Sequence, residues 1–362
     1  MNATDPPRPR SGHRALLLAA LALAGGVLVP AVAGCGTPTT GNATSGTTTA
    51  GKVRVPATVP AKRLRDLTLN VGDQRFSALQ ALLDAAGELD GLPYKIKWST
   101  FTSGPPLLEA VNAGAVDVGG VGNTPPIFSA AAKGEIVIIS AGRDSAAGDA
   151  VLVPKGSTVR TVADLKGRRL AVAKGSSAHG NLLLQLKKVG LGPSDVHTTF
   201  MAPSDGYAAL AAGRVDAWLV WDPYTAQAEQ ELGARVLTSG KGLANGLSFQ
   251  VASRAALVDP RRNSAIQDLV ARTVRARIWS RAHPQQWARV YAQQIGLPYA
   301  VTLAAALRSD DDPITLSPRI AASEQELADA FADAKVIPTR PTMASIIDNR
   351  YDQTVTDQGA KS

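Results

Sequence analysis

Ala171-Val-Ala-Lys-Gly-Ser-Ser-Ala-His-Gly180, running on into Asn181-Leu-Leu-Leu-Gln-Leu-Lys-Lys188, decides how the rest of the chain is read. The β-favouring run Leu170 to Ala173 stops at Lys174-Gly175. Two serines and a histidine follow, and then apolar residues recur at helical spacing. A strand, a small-residue turn and a helix in this order leave the first-turn N–H groups without intrahelical partners, facing whatever sits above them. Ser176 and Ser177 either cap the helix or offer hydroxyls to an oxyanion. The arrangement suits a small anion, and it predicts a second such turn facing the first.

The same alternation extends in both directions. Upstream, Leu67 to Val71 reads as a strand ending at Gly72-Asp-Gln-Arg75, and Phe76 to Leu83 has helical spacing. Tyr94 to Trp98 alternates as a second strand, Leu107 to Ala113 is a short helix, and Val116 to Val121 is a third strand. Gly122-Asn-Thr-Pro-Pro126 opens a helix with proline where an early helical position tolerates it. Ile136 to Ile139 is a buried strand, and the pattern restarts at Ala150-Val-Leu-Val153. Downstream, Phe200-Met201 ends a strand, Tyr207 to Ala212 is helical, and Val215 to Trp221 is a strand leading into Asp222-Pro-Tyr224 and a new helix. Arg235 to Thr238 follows, and Phe249 to Ala252 is expected to return the chain to the first lobe. After Pro260 helices dominate: one carries Ile266, Leu269, Val270, Val274 and Ile278 on a single face to about Ala282, and others cover 285–295, 299–307 and 318–334.

Short strands alternating with helices predict an α/β fold with mostly parallel sheets. A body near 290 residues suits two lobes better than one core. The expected layout is a first lobe over 63–147, a second over 148–247, and a return strand with C-terminal helices over 248–351, then a tail over 352–362. Two crossings, near 143–150 and 245–250, would make a hinge.

The N-terminus reads separately. Arg8, Arg10 and Arg14 precede the apolar run Ala15 to Val29, which is short for a membrane span. Val32-Ala33-Gly34-Cys35 then resembles a bacterial lipoprotein signal, over 1–34, with Cys35 as the lipidated residue and membrane anchor. Because Cys35 is the single cysteine, a disulfide within the chain, a thiolate metal cluster and a free cysteine nucleophile are all excluded. Residues 35–62, rich in Thr, Gly, Ala, Ser and Pro, read as a flexible tether.

The chain carries a formal charge of +8. Cleavage before Cys35 would remove three arginines and Asp5, leaving +6. The basic residues are dispersed rather than interleaved with aromatics, which argues against nucleic acid and for small anionic ligands. Gly120-Val-Gly122 is not a dinucleotide loop, since the third glycine position is Pro125, and none of the four histidines has metal-ligand spacing. No metal or cofactor is expected.

Phe101-Thr-Ser-Gly-Pro-Pro-Leu-Leu-Glu-Ala-Val-Asn-Ala-Gly114, Gly122-Asn-Thr-Pro-Pro-Ile-Phe128, Lys174-Gly-Ser-Ser-Ala-His179 and Val215-Asp-Ala-Trp-Leu-Val-Trp-Asp-Pro-Tyr224 closely resemble the aliphatic sulfonate-binding proteins of bacterial ABC importers. These fall within the group that binds nitrate, taurine and sulfonates. The likeness runs from about Leu67 to Pro338 in order and spacing. It implies a two-lobed, type II periplasmic-binding-protein fold, a ligand in the cleft, hinge closure, and delivery to the transmembrane subunits of an ABC permease. A monomer is expected. Gly72-Asp73-Gln74-Arg75 departs from the family's usual polar run after the first strand, and Asp73 would disfavour an anion unless it points away.

A sulfonate is a tetrahedral monoanion needing several N–H and O–H donors. The candidate ligand-binding residues are Gln74, Arg75, Asn123, Thr124, Ser176, Ser177, His179, Trp221 and Asp222. Each has a plainer reading. Gln74 is otherwise a loop residue, Arg75 a solvated charge, Asn123 and Thr124 helix caps, and His179 a packed lobe histidine. Trp221 would wall an alkyl chain and Asp222 would cap a helix or bind an amine, both at a strand end. Trp218 faces the core, and Arg143 at the hinge is an anion partner or an interlobe ion pair. Taurine, nitrate or another small anion remain open as ligands. A desulfinase-like enzyme lacks its cysteine here, and a sensor or scaffold lipoprotein is the other class of role.

Overall fold

The computed structural model describes residues 54–360, so the signal segment and Cys35 lie outside the described residues. The strands are β1 (Thr68–Gln74), β2 (Lys95–Phe101), β3 (Val118–Gly122), β4 (Ile136–Arg143), β5 (Ala150–Val153), β6 (Arg169–Val172), β7 (His197–Phe200), β8 (Ala217–Val220), β9 (Arg235–Ser239), β10 (Leu247–Ser253) and β11 (Asp312–Ile314). The helices are α1 (Leu79–Ala85), α2 (Gly104–Asn112), α3 (Thr124–Ala131), α4 (Ser177–Lys188), α5 (Pro203–Ala211), α6 (Tyr224–Glu231), α7 (Arg254–Val258), α8 (Pro260–Ala282), α9 (Pro284–Ile295), α10 (Tyr299–Arg308), α11 (Pro318–Asp333) and α12 (Asp352–Gly359).

The strands form two sheets, ordered β11-β4-β10-β3-β1-β2 and β7-β6-β8-β5-β9. In each sheet four strands run the same way, and the strand entering from the other lobe, β10 or β5, lies antiparallel between its neighbours. Both faces of both sheets are covered. In the second sheet Val151, Leu170, Val172, Ala217 and Leu219 pack with Leu182 and Leu186 of α4. The alternate residues Ala150, Leu152, Ala171, Trp218 and Val220 pack with α5 and α6. Period-two alternation between two apolar faces is why these strands read as continuous apolar runs. In the first sheet Leu69, Val71, Val137 and Ile139 face α1, α8 and α9, whereas Ile136, Ile138, Phe249 and Val251 face α2, α3 and α11.

Several local expectations are corrected. β1 does not end at Gly72: its pairing with β2 continues to Gln74↔Phe101. The helix expected from Phe76 begins only at Leu79, because Ala78 takes a left-handed conformation, φ 49. The end of the tether is docked: the Val59 N–H donates to Ser264 Oγ at 2.9 Å, and Ala61–Arg63 form a 3-10 turn. The expected tail contains α12, whose Val355 is buried in the core beside α8. β11, a three-residue strand containing Pro313, was not legible as a strand; it pairs at the edge with β4.

The chain passes between sheets at 144–149 and 240–246, the second somewhat earlier than the 245–250 expected. The two segments lie side by side: the Asp144 N–H donates to the Gly246 carbonyl at 2.9 Å and the Gly240 N–H to the Asp149 carbonyl at 2.8 Å. Asn245 ties them to the first lobe. Its Oδ1 accepts from Asn123 Nδ2 at 2.8 Å, and its Nδ2 donates to Ser323 Oγ at 3.1 Å and Glu324 Oε1 at 2.8 Å. Glu324 is fully buried, which pushes its carboxyl up to about 8 despite the Asn245 bond. A raised acid keeps its proton in the fold after the unfolded chain has lost it. Stability from this group is therefore full below about 4.5 and declines as pH rises toward 8. Glu324→Gln keeps an oxygen for Asn245 without that penalty. Thermal unfolding should show Tm unchanged at pH 4.5 and raised by roughly 2 °C or more at pH 8.

Candidate functional site

A cavity of about 330 Å³ lies between the lobes. It sits at the C-terminal ends of strands from both sheets, the position where open α/β sheets hold ligands. Gln74 is the last residue of β1, Gly122 the last of β3, and Trp221 follows β8. Of the candidate residues, Gln74, Asn123, Ser176, Ser177, Trp221 and Asp222 line this space.

The α4 start is built as its sequence suggests, but its two serines do different work. Ser176 is the N-cap: its Oγ accepts from the His179 N–H at 3.4 Å and donates to the Ala173 carbonyl at 2.7 Å. That hydroxyl is committed. Ser177 Oγ points into the cavity and donates to Asp149 Oδ1 at 3.3 Å. The His179 and Gly180 N–H groups are taken by the Ser176 carbonyl, which leaves those of Ser177 and Ala178 as the open donors of the first turn. Together with the positive end of a twelve-residue helix they form an anion-directed edge.

The facing turn is weaker in donors. α3 carries Pro125 and Pro126 in its first turn, removing two N–H groups. Asn123 spends its amide on Asn245 and on Thr124 Oγ1, which donates to Asn123 Oδ1 at 2.9 Å. Asn123 therefore joins the hinge to the cleft wall. Gln74 is better placed: one amide N–H of Nε2 holds the Gly120 carbonyl at 2.9 Å, leaving a second donor. The two lobes touch here. A Cβ built on Gly122 would lie 3.1 Å from Ser177 Cβ, and one on Gly180 would meet Thr124 Oγ1, so a larger residue at either glycine would wedge the lobes apart.

Three candidates lie outside the cavity. Arg75 is exposed, with its guanidinium over the Phe76 ring at 5.6 Å. Thr124 is fully buried in the lobe contact. His179 is 5% exposed, accepts from the Gly175 N–H at Nδ1, and packs against Phe128, Phe200 and Phe331 from both lobes. Burial, with Lys174 nearby, pushes its imidazole down to about 4, so it is a neutral packing residue. Arg143 is exposed and likewise does not line the cavity. Asp222 is a helix acceptor and an ion-pair partner: Oδ1 takes the Ala226 N–H at 3.1 Å and Oδ2 lies 3.2 Å from Arg308 Nε. Asp73 also lines the cavity, and its Oδ2 takes the Gln80 N–H of α1 at 3.4 Å.

Reading along the chain missed the cleft's charges. Asp144, Asp149, Arg277, Arg281, Arg308 and Asp311 all line it, as does the uncharged Gln250. Arg277 Nε pairs with Asp311 Oδ2 at 3.3 Å, and Arg308 Nη2 also reaches Glu229 Oε2 at 2.8 Å. Desolvation, followed by the charges of Asp144 and Asp222, pushes the Asp149 carboxyl up to about 7, against the Ser177 hydrogen bond. Desolvation likewise raises Asp73, Asp144 and Asp222 to about 6. Gln250 had a visible signal: it is a polar residue inside the apolar run Phe249 to Ala252. The arginines had none, because they come from helices far along the chain.

A family model described as NMT1-like matches residues 80–296. A protein of Escherichia coli strain K12 that carries the name aliphatic sulfonates-binding protein is 36% identical over 249 residues, 68% of this chain and 77% of its own. The alkanesulfonate-binding protein of Xanthomonas axonopodis pv. citri, solved bound to MOPS, has a TM-score of 0.73 and 32% identity, over 81% of this chain and 99% of its own. The periplasmic aliphatic sulphonate binding protein of Escherichia coli gives a TM-score of 0.68 and 34% identity over 77% and 97%. A desulfurization enzyme shares the fold at 18% identity and a TM-score of 0.56, over 82% and 100%. The close relatives are binding proteins rather than enzymes, and their two-lobed periplasmic-binding-protein architecture is the one described above. The chain belongs to the NMT1-like family and, within it, to the aliphatic sulfonate-binding proteins.

Proposed function

We propose that this protein is an extracytoplasmic receptor, anchored through Cys35, that binds an aliphatic sulfonate between its lobes and delivers it to an ABC permease. The observation that carries the reading is the open first turn of α4, where the Ser177 and Ala178 N–H groups are unspent at the lobe contact beside Gly122. The Ser177 hydroxyl, whose one proton goes to Asp149, can turn to an anion once that carboxyl is protonated. A sulfonate stays ionised at any physiological pH, so a set of donors with no proton acceptor of its own suffices. Gln74 adds a donor from the first lobe, so the anion would bridge the lobes and favour the closed arrangement over an open one. Half-buried Trp221 walls the adjoining space, where the alkyl chain would lie.

Asp149 shapes this binding. Its carboxyl competes with the anion for the one Ser177 hydroxyl proton, and Asp144 and Asp222 stand near it, with Arg308 paired to Asp222. A bound sulfonate adds negative charge and raises the Asp149 value further above about 7, so binding takes up a proton. Affinity is then greatest below pH 7 and falls as pH rises past it.

Two measurements test this on the full-length chain purified in detergent. In thermal-shift and calorimetric titrations, alkanesulfonates should raise Tm by mass action where nitrate and sulfate do not, and Ser177→Ala should weaken binding roughly tenfold. A protein that responds to nitrate or sulfate and to no sulfonate would sink the ligand assignment. Propanesulfonate titrated from pH 6 to pH 8.5 should lose affinity by up to about tenfold, with a proton taken up on binding, and Asp149→Asn should flatten the profile. A flat wild-type profile would show that Asp149 does not face the anion.

A further inference from the structure

The cavity continues beyond the α4 turn, along β3. Gly120 and Gly122 lie on one face of that strand, two residues and roughly 7 Å apart. Gly122 sits beneath Ser177, but a Cβ built on Gly120 would meet nothing within 4 Å. Open space over a strand in the middle of a six-stranded sheet is unusual, since such faces are otherwise packed to crystal density. Here it forms a slot. Gln250 of β10 stands opposite Gly120 in the ladder, and Asp73 of β1 follows the Gly72–Gly119 pair on the other side. Leu79 and Leu82 of α1 and Trp287 and Tyr291 of α9 close it from above.

Both polar walls of this slot present an acceptor, the Asp73 carboxyl and the Gln250 amide oxygen, the latter beside its own N–H donors. Gln250 is 4% exposed and its Oε1 has no hydrogen-bond partner, although an unpaired buried amide oxygen costs about 1–3 kcal/mol. Asp73 is 9% exposed and no cation pairs with it among the described residues. Its carboxyl is held by backbone N–H groups alone: Oδ2 accepts from that of Gln80 at 3.4 Å, and those of Leu79 and Gln74 also bear on it. A simple alkyl tail would leave Gln250 Oε1 unpaired and seat a methyl group beside a carboxylate. A group bearing N–H donors and a positive charge satisfies both.

We infer, building on the sulfonate reading above, that the preferred ligands are ω-aminoalkanesulfonates whose ammonium group occupies the slot over Gly120, between Asp73 and Gln250 Oε1. The roughly 7 Å between Gly120 and Gly122, which lies beneath Ser177, fits a chain of three to four carbons between sulfur and nitrogen. Two carbons, as in taurine, fall short of the slot.

Matched pairs decide it. Calorimetry on the full-length chain in detergent would compare 4-aminobutanesulfonate with butanesulfonate, 3-aminopropanesulfonate with propanesulfonate, and taurine with ethanesulfonate. The amino member should bind at least tenfold tighter in the longer two pairs and show little advantage in the third. Asp73→Asn, which preserves the acceptor for α1, should bring the longer-pair ratios close to one, and Gly120→Leu, which fills the slot, should do the same. Equal affinities within the longer pairs overturn the inference while leaving sulfonate binding intact, as would a ratio that survives both substitutions. If no member of any pair binds, the sulfonate reading fails and this one falls with it. Should a variant not fold, the wild-type ratios alone carry the test.

Discussion

Two backbone hydrogen bonds between the crossing segments set the geometry of this molecule. Asp144 to Gly246 and Asp149 to Gly240 clamp the outgoing and returning chains side by side, and α4 and α6 of one lobe also pack against α3, α10 and α11 of the other. Because each crossing feeds an antiparallel strand into the middle of a sheet, the strand ends of both lobes converge on the same gap. The α4 first turn and the Gly122 end of β3 meet there. Packing elsewhere is conventional: four apolar clusters, one on each sheet face, hold the lobes rigid. The freedom left to the fold is concentrated at the clamp.

The cleft so formed is electrostatically mixed. It presents helix-terminal donors suited to an anion, yet five aspartates line it against three arginines, and each of those arginines is already engaged by a carboxylate. Burial raises four of the aspartates toward neutrality, which lessens their repulsion of an anion near pH 7. A site that only needed to hold a sulfonate would have little use for so many carboxylates. Their presence is what separates the chemistry of this cleft from that of a simple anion hole.

The candidate site was legible in part, and the divisions have physical causes. Ser177 and Gln74, which line the cavity, stood out because strand-to-helix turns announce themselves by small and polar residues after an apolar run. Ser176, Asn123 and Thr124 stood out by the same signal, but the turn type does not say whether a hydroxyl or amide is spent on the fold. Ser176 is spent on its own helix, and Asn123 and Thr124 on the hinge network with Asn245. His179 misled because a histidine at a helix start looks like a ligand residue, whereas three phenylalanines from separate elements enclose it. Arg277 and Arg308 were invisible, since nothing local marks a helical arginine that reaches a cleft built mainly by distant strands.

By itself the sequence determined most of the element order, short of β11 and α12, and with it the α/β class, the two-lobed division and the family. Those follow from period-two and period-3.6 apolar patterns and from turn chemistry, all of which act over a few residues. It also determined that Trp218 is core, because its register places it on the face opposite the cavity-lining Trp221. Only the tertiary structure decided which polar groups remain unspent once the lobes meet. That is a property of residues far apart in the chain: Asp149 reaches Ser177, Asn245 reaches Glu324, and Gly120 opens a slot between Asp73 and Gln250. Donors and acceptors are local, but whether they are satisfied depends on every neighbour the fold supplies.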